Sequence, residues 1–170
     1  MLSAPASPSS DMMKDVSIRP YRPADLDVIK QLTVDSFGGV TLEQNVEAKL
    51  GQLHGHDWRW RKARHIDEDV AAHAAGIFVA EREGQIIGYI TTRLDREAGK
   101  GRIPNLAVAA EFRGAGLGRQ LIEHALEYFR REGMSYAMIE TMAQNAVGNH
   151  VYPACGFVEV ARQVYFARRL

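Results

Sequence analysis

The chain has one cysteine, Cys155, among 170 residues, so no internal disulfide can form. That usage fits a reducing compartment and makes the cytoplasm the expected location. It also has no surplus of charge, because 21 Lys and Arg are matched by 21 Asp and Glu. A balanced chain projects no long-range field toward nucleic acid or an anionic membrane, so neither is an expected partner. No apolar run approaches the roughly 20 residues of a membrane span. The opening MLSAPASPSSDMMK lacks the basic start and long apolar stretch of a signal peptide. It is rich in Ser, Pro and Ala and reads as a mobile tail over residues 1–14. One domain over residues 15–170 is expected from the length and the lack of a second boundary. No Lys-Ser or Lys-Thr pair occurs, which excludes a P-loop.

What is present is patterned. Val16 to Arg19 alternates before Pro20 and predicts a first strand. Leu26, Ile29, Leu32 and Phe37 lie on one helical face, which Gly38-Gly39 ends. Residues 41–75 read as a second helical region, broken near Gly51 or Gly55. GIFVAEREGQIIGYITTRL predicts two strands around a Glu-Gly turn, and GRIPNLAV a further strand made irregular by Pro104. Leu117, Leu121, Ile122, Ala125, Leu126 and Phe129 mark the buried face of a helix that stops at Gly133. YAMIETM predicts a strand, NAVGNHVYPAC a short helix, and GFVEVARQVYFARRL two closing strands. Hairpins combined with one strand–helix–strand crossover imply an α/β chain of the α+β type, with a mixed, mostly antiparallel central sheet and flanking helices.

The most informative stretch is EFRGAGLGRQL, residues 111–121. Glycine lets a backbone approach a ligand closely, and a helix start favours anions. A dinucleotide fingerprint would use Gly114 and Gly116, with Glu140 as its downstream acid, but Arg119 stands at its third glycine. The loop also falls too late in the chain for a doubly wound sheet. A nicotinamide-dependent oxidoreductase is therefore disfavoured. The alternatives are a pyrophosphate cradle, flanked by Arg113 and Arg119, or a turn whose glycines serve packing alone.

LAVAAEFRGAGLGRQLIEHAL and, downstream, IETMAQNAVGNHVYPACGF resemble the two signature blocks of the GNAT superfamily of acetyl-CoA-dependent N-acyltransferases. Asn145, Tyr152, Gly156 and Phe157 match the second block, while Gly148 replaces its usual Ala and Val151 its usual Leu. The resemblance runs from about residue 16 to the end. It implies the GNAT fold and acetyl-CoA as co-substrate. Leu106, Ala107 and Val108 would pair with the pantetheine arm. Arg113, Gly114, Ala115, Gly116, Leu117, Gly118 and Arg119 would hold the pyrophosphate. Asn145 would bind the cofactor arm by its amide, and Tyr152 would face the thioester sulfur as general acid. Family members often dimerise through late strands, so a homodimer is the implied assembly.

Acyl transfer needs such groups. The oxygen of the intermediate needs a donor, which the Val108 N–H can supply, and a leaving thiolate needs one too, which a phenol can be. The bland reading of Tyr152 is a core aromatic beside Phe157, and that of Asn145 a helix N-cap. A neutral amine must attack, so a base is wanted. Glu140, between Met138 and Met142 on one strand face, is the candidate base; otherwise it is an exposed or ion-paired glutamate. The other strand position that the family uses for a base falls near Arg102 and Ile103, where no acid stands.

The resemblance implies that the acceptor, a small-molecule or peptide amine, would meet residues 35–75 and about 160–166. His54, His56, His65 and His73 lack a cysteine and compact ligand spacing, so they read as solvated and no metal is expected. Arg59, Arg61, Lys62 and Arg64 are offset by Asp57, Asp67, Glu68 and Asp69, a mixed charged helix. Trp58 and Trp60, two apart, cannot share a face; one is expected in the core and one in the acceptor wall. A non-catalytic acyl-CoA-binding module on the same scaffold remains the alternative to an enzyme.

Overall fold

The computed structural model describes residues 12–170. In chain order it contains β1 (Ser17–Pro20), α1 (Leu26–Ser36), α2 (Leu42–Leu50), α3 (Trp58–His73), β2 (Phe78–Arg82), β3 (Gln85–Ile90), β4 (Arg93–Asp95), β5 (Lys100–Ile103), β6 (Leu106–Val108), α4 (Leu117–Arg131), β7 (Tyr136–Ile139) and α5 (Ala146–Ala154). Most of the predicted tail lies outside the described residues. Of its last residues, Met13 and Lys14 lie in a turn, and Met13 packs against the core.

Local chemistry explains most boundaries. The helical region breaks at Gly51, where φ is 71°, and restarts when the Asp57 carboxylate accepts the Trp60 N–H at 3.0 Å. Glu83 and Gly84 both have positive φ and close the β2–β3 hairpin in two residues. Gly101 serves a different need: a Cβ there would lie 2.5 Å from the Phe129 ring, so only glycine lets α4 sit down on β5.

The strands form two sheets. One has the order β1-β2-β3-β6, antiparallel throughout; the other has β4-β5-β7, with β5 and β7 parallel. The sheets meet where β3 passes into β4 through Thr91-Thr92, and β5 into β6 through Pro104-Asn105. The Thr91 N–H still reaches the Asn105 carbonyl at 2.9 Å, but Pro104 has no N–H to give. The strand expected over GRIPNLAV is thus split, with β5 pairing to β7 and β6 to β3.

Two clusters of side chains flank the sheets. Phe78, Ile87, Ile90, Leu121, Ile122 and Phe129 pack under α4. Ile29, Ile66, Ile77, Val79, Tyr89 and Ala107 pack under α1 and α3. A register shift between Ala80 and Glu81 leaves Ile87 as an extra residue in β3. That bulge is why Ile87 faces α4 while Tyr89 faces the opposite side.

The two closing strands are not found. After Phe157 the chain runs exposed to its end, without strand assignment. Val158, Val160, Val164 and Phe166 alternate as a strand would, yet all stand open to solvent. Alternation specifies which faces a strand would have; only a neighbouring backbone makes it a strand. The segment is tethered near its end by Arg169, whose guanidinium donates to the Leu50 and Gln52 carbonyls. No helix among the described residues is long and apolar enough to cross a membrane.

Candidate active site

The glycine loop joins β6 to α4. Gly114 and Gly116 adopt φ of 76° and 90°, in the region where a side chain is strained. A Cβ at either would meet nothing within 4 Å, so the glycines here serve backbone shape and open space rather than packing. Gly116 is the N-cap of α4, and no side chain caps that helix. Among the described residues, the N–H groups of Gly114, Ala115 and Gly116 have no protein acceptor, and those of Leu117, Gly118 and Arg119 head the helix. Arg119 and Arg113 are exposed, and neither forms an ion pair among the described residues. A cluster of free N–H groups at a positive helix end, with two cations beside it, fits a pyrophosphate.

Beside this loop the two sheets part. The last paired residues of β5 and β7 are Ile103 and Ile139. Beyond them β6 pairs only with β3, which leaves its other edge open toward residues 140–142. The Ala109 N–H turns to the Ile87 carbonyl at 2.8 Å, on the β3 side. By the strand's alternation, Leu106 and Val108 turn their backbone groups to the open side. The Val108 carbonyl accepts from Arg113 Nε at 3.0 Å there.

Across the fork stands α5. The Asn145 side chain is its cap: Oδ1 accepts the Gly148 N–H at 3.2 Å, and Nδ2 donates to Thr141 Oγ1 at 2.8 Å. Tyr152 is half-buried, with its ring 6.4 Å from that of Phe157. Burial pushes its phenol above the ordinary value; the nearby Thr141 hydroxyl opposes that shift and Cys155 adds to it. Both bland readings, cap and core aromatic, are thus observed, and neither closes off the fork.

Glu140 is the first residue beyond the last pair of the β5–β7 ladder. Its carboxylate is held by Arg102 in a two-pronged contact at 2.9 and 2.6 Å, and it is more than half exposed. It is an ion-paired glutamate at the mouth of the fork, not one semi-buried among methionines. Sequence reasoning noted the absence of an acid near Arg102 and missed what the arginine itself does there. A cation and an anion 38 positions apart carry no local signal.

The opposite wall comes from α2 and α3, and its chemistry was also missed. Lys62 and Asp69 are buried, not solvated. Lys62 Nζ donates to Asn105 Oδ1 at 2.8 Å and lies over the Phe37 ring. Asn105 Nδ2 donates to Asp69 Oδ2 at 2.7 Å, which also accepts the Thr91 hydroxyl at 2.7 Å. This network ties α3 to the break between β5 and β6. Burial pulls Lys62 below the usual ammonium range, against Glu43 and Asp69. His65, expected to be solvated, is partly buried and bonds Glu43 at 2.8 Å. Burial pushes the Glu43 carboxyl up, but hydrogen bonds from His65 and Thr41 outweigh it and hold it at about 2. Trp58 is the core tryptophan, and Trp60 lies exposed, stacked on His56 at 3.5 Å. Among the described residues no three His, Cys, Asp or Glu converge as metal ligands.

Comparison with known proteins agrees with this geometry. The model of the acetyltransferase (GNAT) family matches residues 41–157, and the chain belongs to that family. It is 34% identical over 84 residues to mycothiol acetyltransferase of Streptomyces coelicolor. That match covers 49% of this chain and only 27% of the relative's length. Among solved structures, PH1933 from Pyrococcus horikoshii aligns with a TM-score of 0.70 at 20% identity, covering 88% of this chain and 92% of the other. The PaiA N-acetyltransferase from Thermoplasma acidophilum, solved in complex with coenzyme A, aligns at 0.65 and 18% identity over 82% and 87% of the two chains. These likenesses establish the fold: a mixed, mostly antiparallel sheet with flanking helices.

Proposed function

We propose that residues 15–170 act as one acetyltransferase domain that moves the acetyl group of acetyl-CoA to a primary amine of a small molecule or peptide. The observation that carries this reading is the open edge of β6 beside an uncapped, glycine-rich helix start. The loop from Arg113 to Arg119 takes the pyrophosphate through its free N–H groups. Leu106 and Val108 pair with the pantetheine arm from the open edge, with Ala107 behind them in the core. The second Nδ2 hydrogen of Asn145 serves the same arm. The amine attacks the thioester carbonyl and forms the C–N bond, and the resulting tetrahedral intermediate collapses with loss of the C–S bond. The Val108 N–H donates to the carbonyl oxygen. Tyr152, kept as a neutral phenol by burial, donates to the leaving sulfur. Glu140, fixed by Arg102 at the mouth, takes the proton of the amine through water.

Two further features belong to the reading. A lone cysteine suits a cytoplasmic setting. The exposed apolar alternation from Val158 to Phe166 suits contact with a second copy of the chain, which light scattering would register as a dimer.

The test is release of coenzyme A from acetyl-CoA across a broad panel of amines. Turnover with any amine supports an enzyme. Tight acetyl-CoA binding without turnover favours an acyl-CoA-binding module instead. Tyr152→Phe is expected to lower kcat about 100–10,000-fold with little change in acetyl-CoA KM, the range of one acid–base group. An unchanged kcat would remove Tyr152 from the mechanism.

A further inference from the structure

Gly148 lies inside α5, is buried, and has an ordinary helical φ. A glycine inside a helix is destabilising relative to alanine, so it needs a reason. Backbone shape supplies none; the surroundings do. A Cβ at 148 would lie 2.8 Å from Thr141 Oγ1, 2.9 Å from Asn145 Nδ2 and 3.2 Å from Tyr152 Cε2. Three functional groups therefore converge on the space that this glycine leaves.

Their hydrogen bonds have a direction. The Gly148 N–H can only donate, so the atom of Asn145 facing it is Oδ1. Asn145 Nδ2 then points at Thr141 and donates to its hydroxyl oxygen at 2.8 Å. That leaves the single Thr141 hydrogen free to donate, and the edge of the Tyr152 ring stands across the same space.

We infer that Thr141 donates this hydrogen to the Tyr152 oxygen and so is a positioning residue for it, turning the Tyr152 O–H into the fork and stabilising the oxygen as the proton leaves, and that Gly148 is the residue that admits the pair. This rests on Tyr152 being the proton donor. Cys155 is the titratable neighbour of Tyr152.

The experiment compares Thr141→Val, Thr141→Ser and Gly148→Ala in the full chain. Ultraviolet titration of tyrosinate, with Tyr152→Phe as the subtraction standard, reads Tyr152 without needing the acceptor. Thr141→Val is expected to move that titration to higher pH and, once an acceptor is known, to lower kcat about tenfold at unchanged acetyl-CoA KM. Thr141→Ser is expected to restore both, since it returns the hydroxyl. Gly148→Ala is expected to reproduce the valine variant, with the double variant no worse than either single one. An unchanged tyrosinate titration in Thr141→Val overturns the inference, as does equal impairment of the valine and serine variants. Failure of the underlying reading looks different: Tyr152→Phe would then retain full turnover.

Discussion

The two walls of the fork are built from different materials. The wall proposed for the donor is backbone: free N–H groups of the 113–119 loop and the open edge of β6. The wall proposed for the acceptor is side chains: Glu43, Lys62, His65, Asp69 and Asn105, mostly buried and bonded to one another. Backbone donors recognise a group that never changes, such as a pyrophosphate, and they tolerate changes in neighbouring side chains. A side-chain wall can be rewritten one residue at a time, which suits the half of a site that selects a substrate.

The contrast can be broken at its strongest point first. Asp69→Ala should cost about 3–5 kcal/mol of stability, read by urea unfolding, because Lys62, Arg93 and Asn105 lose a buried anion. A milder loss would mean that the network is looser than its distances indicate. Gly116→Val should weaken acetyl-CoA binding about 100-fold by calorimetry, roughly 2.7 kcal/mol, through a strained φ of 90° at the cradle. If affinity holds, the cradle is not where the pyrophosphate sits.

Acidification separates the walls more gently. The folded value of Glu43 is about 2, below its ordinary 4.5, so the folded state binds fewer protons than the unfolded chain between them. Stability from this group is present above pH 4.5 and is lost as pH falls toward 2. Glu43→Gln should flatten that part of the pH–stability curve; a curve parallel to wild type would refute the assignment. The smallest effect is expected from Trp60→Ala, about 1 kcal/mol or less in thermal unfolding, because its stack on His56 is exposed. A larger loss of acceptor affinity than of stability would make Trp60 part of the acceptor wall.

Much of the frame was readable in advance. The faces of α1 and α4, the Glu83-Gly84 hairpin and the break between α2 and α3 all follow from periodicity and turn chemistry. The irregularity at Pro104 was visible too, although not that it would divide the strand between two sheets. The closing strands were misjudged because Val158 to Phe166 alternates whether or not a partner backbone is near. Gly148 stood out as a departure from a pattern, but its reason lies in Thr141, seven positions earlier, and in the turn that brings them together.

By itself the sequence determined the backbone wall. Its glycines, its arginines and the helix start are contiguous, so their chemistry needs no distant partner. Only the tertiary structure decided the side-chain wall. Whether Lys62 or His65 is solvated depends on Glu43 and Asn105, residues that folding alone brings beside them. It likewise joined Glu140 to Arg102. The strength and sign of an electrostatic interaction follow from distance and burial in space, and one-dimensional spacing encodes neither.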